Sequence, residues 1–279
     1  MNTCVVCGSA ARTPLYKGIV RCSSCGHVYA DLQMSDEEMM ELYRKNYFFG
    51  EEYSDYLRDK PILQKNFHAR MRVLKRFLGE QHKSLLEIGS AYGFFLEVAK
   101  PAFERVLGID ITEDGCRYAS ETLGMPVVQD DFLAHDFKGE RFDVMTMWDT
   151  IEHLREPNLY MEKLADMMPS GSLVTFTTGD VDGWNARLRK ENWRMIHPPT
   201  HVHYFSRRTL SQMLDRYGFE TVYSKHCGFY RSLDMVAYMI LVLRQGNQKL
   251  YNALAATGLT KFDFYLNMYD IMYVIGRKR

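Results

Sequence analysis

Apolar positions along this chain follow two rhythms. Between residues 84 and 178, short unbroken apolar runs alternate with segments whose apolar positions recur at helical spacing. The runs at 84–88, 106–110, 127–129, 142–147 and 173–178 read as strands buried on both faces. Further strands are expected near 221–224 and at 272–275. Helices are expected at 114–123 and 159–168, the latter stopped by Pro169-Ser170-Gly171. Strands that alternate with helices predict an α/β fold, a doubly wound parallel sheet with right-handed crossovers.

Upstream, 61–78 reads as a helix that delivers the chain to the first of these strands. Ser35-Asp36-Glu37-Glu38 reads as a capped helix start, leading into Met39, Met40, Leu42 and Tyr43. The aromatic stretch with Tyr47, Phe48, Phe49, Tyr53 and Tyr56 is either a helix packed on the main domain or a lid. Segment 228–264 is longer than a crossover requires. It contains the apolar stretch 233–243, expected to form a wall of the site or a dimer contact. That stretch is well short of the roughly 20 residues that span a bilayer.

The first strand carries the most informative motif. Leu85-Leu86-Glu87-Ile88 ends in Gly89-Ser90-Ala91-Tyr92-Gly93, and a second apolar run ends in Gly108-Ile109-Asp110. Glycines at a strand-to-helix turn let the backbone approach a ligand, and an acid about twenty residues on suits a ribose. A nicotinamide enzyme and an S-adenosylmethionine enzyme both satisfy those two features. The loop reads Gly-x-x-x-Gly and lacks the middle glycine that cradles a pyrophosphate, which favours S-adenosylmethionine.

Cysteine and charge narrow the picture further. Cys4, Cys7, Cys22 and Cys25 form two Cys-x-x-Cys knuckles, with Gly8 and Gly26 after the second cysteine of each. Four thiolates complete a tetrahedral structural zinc site, with disulfides or redox thiols as the alternative. Lys plus Arg and Asp plus Glu number 35 each, so nothing drives non-specific binding to a polyphosphate. No secretory leader is expected, and the protein is expected to be soluble and cytoplasmic.

From about residue 83 onward the chain resembles class I S-adenosylmethionine-dependent methyltransferases, of the bacterial branch with an N-terminal zinc ribbon. The resemblance rests on the glycine loop, Gly108-Ile109-Asp110, Gln129-Asp130-Asp131-Phe132, Phe142-Asp143-Val144, Ile151-Glu152-His153-Leu154 and the late His201-Val202-His203-Tyr204-Phe205-Ser206 segment. It implies a Rossmann-like seven-stranded sheet with one antiparallel strand, the role suited to 272–276. The domains implied are a zinc ribbon (1–30), a helical linker or lid (31–82) and the methyltransferase domain (83–279), with a helical insertion at 228–264.

The resemblance assigns Glu87, Gly89 and Ser90 to the methionine end of the cofactor, with Gly93 giving backbone clearance. Asp110 and the adjoining Ile111 fall at the ribose, where the carboxylate accepts from the hydroxyls. Asp131, or Asp130 one residue earlier, reads the adenine amino group; Phe132 lies against the ring, and Trp148 closes the cofactor side. On the acceptor side, Asp149, Glu152 and His153 would share a face if a helix starts after the fourth strand. Metal-dependent O-methyltransferases resemble this motif, which brings in Mg2+; a general-base or loop-positioning role is the alternative. His201 is a candidate base, Tyr204 a candidate acceptor contact, and His197 and His203 later partners.

The expected activity is methyl transfer to a small-molecule or glycan-linked acceptor, at oxygen, carbon or nitrogen, without a nucleic-acid partner and with a homodimer as an option. The alternatives are an RNA methyltransferase docking through the ribbon, and a non-catalytic cofactor-binding scaffold. The absence of a dense Lys/Arg stripe counts against the first, and the intact Glu87, Gly89, Asp110, Asp131 set against the second.

Overall fold

The N-terminal knuckles lead into three short antiparallel strands, β1 (Arg12–Tyr16), β2 (Ile19–Cys22) and β3 (Val28–Ala30). The computed structural model describes residues 3–32 and 56–279. The expected helix start at 35 and most of the aromatic stretch, Tyr47 to Tyr53, therefore lie outside the described residues. Tyr56 lies within them: it is buried and stacks on Phe94 at 5.2 Å.

Helix α1 (Lys60–Leu74) carries Pro61 in its first turn, where a missing N–H costs nothing. Its buried positions include Ile62, Asn66, Phe67, Arg70, Met71 and Leu74, one stripe at helical spacing. The chain then alternates β4 (Ser84–Ile88), α2 (Phe94–Ala99), β5 (Arg105–Asp110), α3 (Glu113–Arg117, continued as a wider turn over Tyr118–Thr122), β6 (Val127–Gln129), β7 (Val144–Trp148), α4 (Pro157–Met167) and β8 (Leu173–Gly179). After α5 (Trp184–Arg189) and the two-residue β9 (His203–Tyr204) come α6 (Arg207–Arg216) and β10 (Phe219–His226).

Seven strands form one sheet in the order β10-β13-β8-β7-β4-β5-β6, where β13 is Ile271–Lys278. β13 runs antiparallel to both neighbours and the others pair in parallel, as expected. Alternate residues along each strand feed separate cores on the two faces. Leu85, Val106, Val144, Leu173 and Ile275 meet α1 and α2 on one face. Leu86, Ile109, Met145, Val174 and Val274 meet α4 and α6 on the other.

Two elements depart from expectation. β7 starts at Val144, not at 142, because Asp143 accepts from the Lys83 and Ser84 backbone N–H groups and ties the strand's entry to β4. The 228–264 insertion is not wholly helical. It opens on β11 (Phe229–Ser232), runs through α7 (Leu233–Ala237, continued over Tyr238–Arg244) and α8 (Gln248–Ala256), and closes on β12 (Asp263–Leu266), which pairs with β11. The apolar stretch lies outward, with Leu233, Met239, Ile240 and Leu243 exposed. Among the described residues no helix is long and apolar enough to cross a membrane.

The N-terminal sheet takes its fourth strand from far along the chain. β3 pairs with β9, Val28 opposite Tyr204 and Tyr29 opposite His203.

Candidate active site

The carboxyl ends of β4, β5 and β7 converge where the strand order turns back on itself, the place where an open α/β sheet binds its ligand. Gly89 has φ +76°, and a Cβ there would fall 2.7 Å from Thr150 Oγ1, so no larger residue fits. Gly93 also has a left-handed φ, and its clearance has a packing role. A Cβ there would meet Ala119 Cβ at 2.9 Å, so Gly93 lets the segment continuing α3 pack against the loop.

Asp110 caps this loop. Its Oδ2 accepts from Ala91 N–H at 2.7 Å, and its Oδ1 accepts from Thr112 N–H at 2.8 Å and Thr112 Oγ1–H at 2.6 Å. Burial pushes its carboxyl up, against the lowering effect of those hydrogen bonds. A carboxylate has about four lone-pair sites. With three occupied, Asp110 has room for one ribose hydroxyl rather than two. Ile111 follows it, half-buried.

On the expected adenine side, Asp131 Oδ1 accepts from the Leu133 and Ala134 N–H groups, while Asp130 pairs with His135 at 2.9 Å. Asp131 is half-buried and Asp130 exposed. Phe132 is buried against Tyr160, ring centroids 5.4 Å apart. Lys163, which no sequence motif marked, donates to the carbonyls of Phe132, Leu133 and His135 at 2.7–3.0 Å and pins this loop to α4.

Three buried polar atoms at the junction have no hydrogen-bond partner among the described residues: Glu87 Oε2, Ser90 Oγ and Trp148 Nε1. Glu87 is 3% exposed, and burial, reinforced by the Asp110 charge, pushes its carboxyl well up. Orphaned donors and acceptors are costly inside a fold, so this junction is built for a polar ligand. A cationic, hydrogen-bonding end such as the methionine end of S-adenosylmethionine fits these residues.

The acceptor-side expectation is corrected in its geometry. Residues 149–153 form a turn, not a helix start, and α4 begins only at Pro157. Asp149, at φ +51°, pairs with Arg70 at 2.9 Å. Glu152 and His153 instead join His201, and ligating atoms of the three lie within 4.8 Å of one another. His153 Nδ1 bonds the Thr200 carbonyl and His201 Nδ1 the Met195 carbonyl, each at 2.9 Å. A carbonyl only accepts, so both protons sit on Nδ1 and Nε2 is the basic nitrogen. Burial lowers His153 to about 4 and, helped by its histidine neighbours, His201 to about 2. The His197 ring lies tilted against His201, centroids 3.8 Å apart, and bonds Thr200.

Two late residues turn elsewhere. Tyr204 is 2% exposed in the core shared with Ile19, Val28 and Ala30, and its hydroxyl donates to the His201 carbonyl. It braces the histidine's backbone and does not face an acceptor. His203 lies between His27, at 3.1 Å, and the Arg155 carbonyl, at 3.2 Å.

The four N-terminal cysteines come together as expected. Cys4 and Cys25 Sγ lie 3.5 Å apart, as do Cys7 and Cys22 Sγ, and all four fall within 4.8 Å. Those separations are far beyond a disulfide and match the edges of a tetrahedron of thiolates. Gly8 and Gly26, at φ +76° and +77°, turn each knuckle.

Sequence motif reading missed Arg70. It sits on the buried stripe of α1, where a charged residue between Phe67 and Met71 is the signal that could have revealed it.

Comparison with known proteins agrees with this fold. A family described as a methyltransferase domain matches residues 62–224. A ubiquinone biosynthesis O-methyltransferase from Methylococcus capsulatus is 26% identical over 125 residues, 41% of this chain and 52% of the relative. A carboxy-S-adenosyl-L-methionine synthase from Nautilia profundicola is 31% identical over 143 residues, 47% of this chain and 59% of the relative. The chain thus spans about half the length of the curated relatives it matches. A SAM-dependent methyltransferase structure from Archaeoglobus fulgidus superposes with TM-score 0.52 at 19% identity, covering 80% of this chain and 100% of the other.

Proposed function

The chain belongs to the methyltransferase domain family, and on that premise we propose that it transfers the methyl group of S-adenosylmethionine to a small-molecule or glycan-linked acceptor. The observation that carries this reading is the set of orphaned polar atoms, Glu87 Oε2, Ser90 Oγ and Trp148 Nε1, buried beside Gly89 at the turning point of the sheet. The cofactor's sulfonium supplies an electrophilic methyl group, so the protein needs only to hold the acceptor in line and dispose of one proton. Glu87 and Ser90 bind the methionine end, Asp110 one ribose hydroxyl, and the Asp131–Phe132 turn the base.

His201 and His153 each bring a ring nitrogen within 4.8 Å of a Glu152 carboxylate oxygen. An imidazole there accepts the acceptor's proton as the methyl group is transferred, and the adjacent carboxylate stabilises the cation so formed. The same donors also suit a divalent cation. Two imidazoles and one carboxylate favour a transition metal over Mg2+, which prefers an all-oxygen shell. The four cysteines are proposed to hold a structural zinc ion. The small-molecule acceptor is consistent with the relatives named for ubiquinone O-methylation and carboxy-S-adenosylmethionine synthesis.

Calorimetric titration with S-adenosylhomocysteine tests the cofactor assignment. Stoichiometric binding, lost when Glu87 is replaced by Ala, is expected. A protein that binds neither this nucleoside nor S-adenosylmethionine would refute the reading.

A further inference from the structure

The exposed apolar side chains are not spread evenly over the surface. Among the described residues fifteen large apolar side chains are exposed, and thirteen of them lie at 184–188 or 233–269. Trp184 is 66% exposed and Phe262 65%. Hydrogen bonds tie the contributing segments together. Trp184 N–H donates to the Tyr269 carbonyl at 3.1 Å, Leu233 N–H donates to the Phe262 carbonyl at 2.9 Å, and β11 pairs with β12. Single exposed apolar residues are ordinary, but a concentration of this kind marks an interaction surface. The patch borders the candidate active site, because Phe229 of β11 lies 5.0 Å from the Arg70 guanidinium that pairs with Asp149.

Charge says what meets it. The whole chain balances 35 Lys and Arg against 35 Asp and Glu, yet residues 184–194 and 225–269 carry nine Lys and Arg against three Asp and Glu. Two of those acids are taken from outside the patch, Asp263 by Lys65 at 2.9 Å and Asp234 by Arg58. Of the bordering acids, Asp270 is buried and Asp182 lies 3.7 Å from Arg187. Exposed cations flank the apolar tips: Leu188 stands between Arg187 and Arg189, Leu250 follows Lys249, and Phe262 follows Lys261. A second copy related by a two-fold axis would set this cationic face against itself. A single-stranded nucleic acid is held by stacking aromatics, yet eight of the thirteen apolar residues are Leu, Met or Ile. Aliphatic and aromatic tips interleaved with Lys and Arg suit a bilayer interface. There the apolar ends enter the acyl boundary while the cations meet lipid phosphates.

We propose that this face seats the protein on an anionic lipid bilayer, with the mouth of the candidate active site at its border. The protein lies on the membrane and does not cross it. The inference goes beyond the methyl-transfer reading and stands or falls separately from it.

Cosedimentation with vesicles tests it, using phosphatidylglycerol mixed with phosphatidylethanolamine and, as the neutral contrast, phosphatidylcholine. Wild type should bind the anionic vesicles and leave them as salt rises. Phe262→Ser should weaken that binding about tenfold through lost apolar burial. Lys261→Glu, a change of two charges, should weaken it about 25-fold on anionic vesicles and far less on neutral ones. Both side chains are exposed, so unchanged urea midpoints are expected. Wild type that sediments with neither vesicle overturns the proposal, as do variants that bind like wild type. A solution dimer that dissociates in Phe262→Ser assigns the face to a second copy and overturns it. Binding of an oligouridylate in place of vesicles, lost in Lys261→Glu, assigns it to RNA and overturns it equally. Titration of the same samples with S-adenosylhomocysteine reports on the cofactor reading separately, since neither residue belongs to the cofactor site.

Discussion

Replacing Asp110 with Ala tests whether this carboxylate serves the fold as well as the ligand. It accepts from Ala91 N–H, Thr112 N–H and Thr112 Oγ1–H, and Ala91 sits at φ +45°, a conformation disfavoured for a residue with a Cβ. The stability lost is not the sum of three charged hydrogen bonds, because burying the carboxylate is itself unfavourable and disappears with it. What remains is the cost of two backbone N–H groups left without a partner, about 1–3 kcal/mol each. Thr112 is half-buried and its hydroxyl can turn to water. A loss of about 2–6 kcal/mol follows, read as a lower urea midpoint at unchanged slope. Ligand affinity should fall by about ten- to a hundredfold for the one ribose hydroxyl, and further as the Gly89–Gly93 loop relaxes. An unchanged urea midpoint alongside lost nucleoside binding would refute the loop-capping argument. Unchanged nucleoside affinity would refute the ribose assignment.

Alanine at His153 or His201 should spare cofactor binding and lower turnover by about 10²–10⁴-fold, measured on an acceptor that wild type methylates; full activity in both variants would remove them from the chemistry. Acid should weaken the fold through His203, which is 1% exposed and held by burial at about 4 against an unfolded value of 6.5. The unfolded chain then binds the proton first, so stability falls as pH drops below about 6.5 and the loss stops near pH 4, amounting to about 2 kcal/mol at pH 5. Glu87 and Asp110, whose carboxyls are pushed up, act in the opposite direction, so the measurement is the pH slope of wild type minus that of His203→Gln; identical slopes would contradict it. A strong chelator with reductant should strip one zinc ion per chain and lower turnover while nucleoside binding persists, because Ala30 N–H bonds the Val202 carbonyl beside His201; metal analysis below half an equivalent in metal-replete protein would rule the zinc site out.

The sheet was legible because its strands are apolar on both faces and their ends carry glycine or acid. β4 and β6 fall where the apolar runs fall, and β13 takes the antiparallel place. The β11–β12 ribbon was not legible: Asp263–Leu266 is exposed throughout and offers no alternation to read. The acceptor side misled at one point. Asp149, Glu152 and His153 have helical spacing, but spacing does not decide whether a helix forms, and a left-handed Asp149 sends its carboxylate to Arg70. Arg70 itself is an arginine in an amphipathic helix, a place where such a residue ordinarily faces water. Its burial comes from Trp148 and Phe229, which arrive from distant parts of the chain.

The shared sheet of β1, β2, β3 and β9 sets an order on the protein's birth. His27 and His203, hydrogen-bonded in the finished fold, are 176 residues apart. At about 5–20 residues per second, roughly 9 to 35 seconds of synthesis separate them. The four cysteines are made together and can gather a metal ion at once, long before the strand that completes their sheet exists. Through that interval Val28, Tyr29 and Ala30, which end fully covered, present a bare apolar edge to the cell. That edge of the ribbon is closed only when the His201–Tyr204 segment arrives to pair with it.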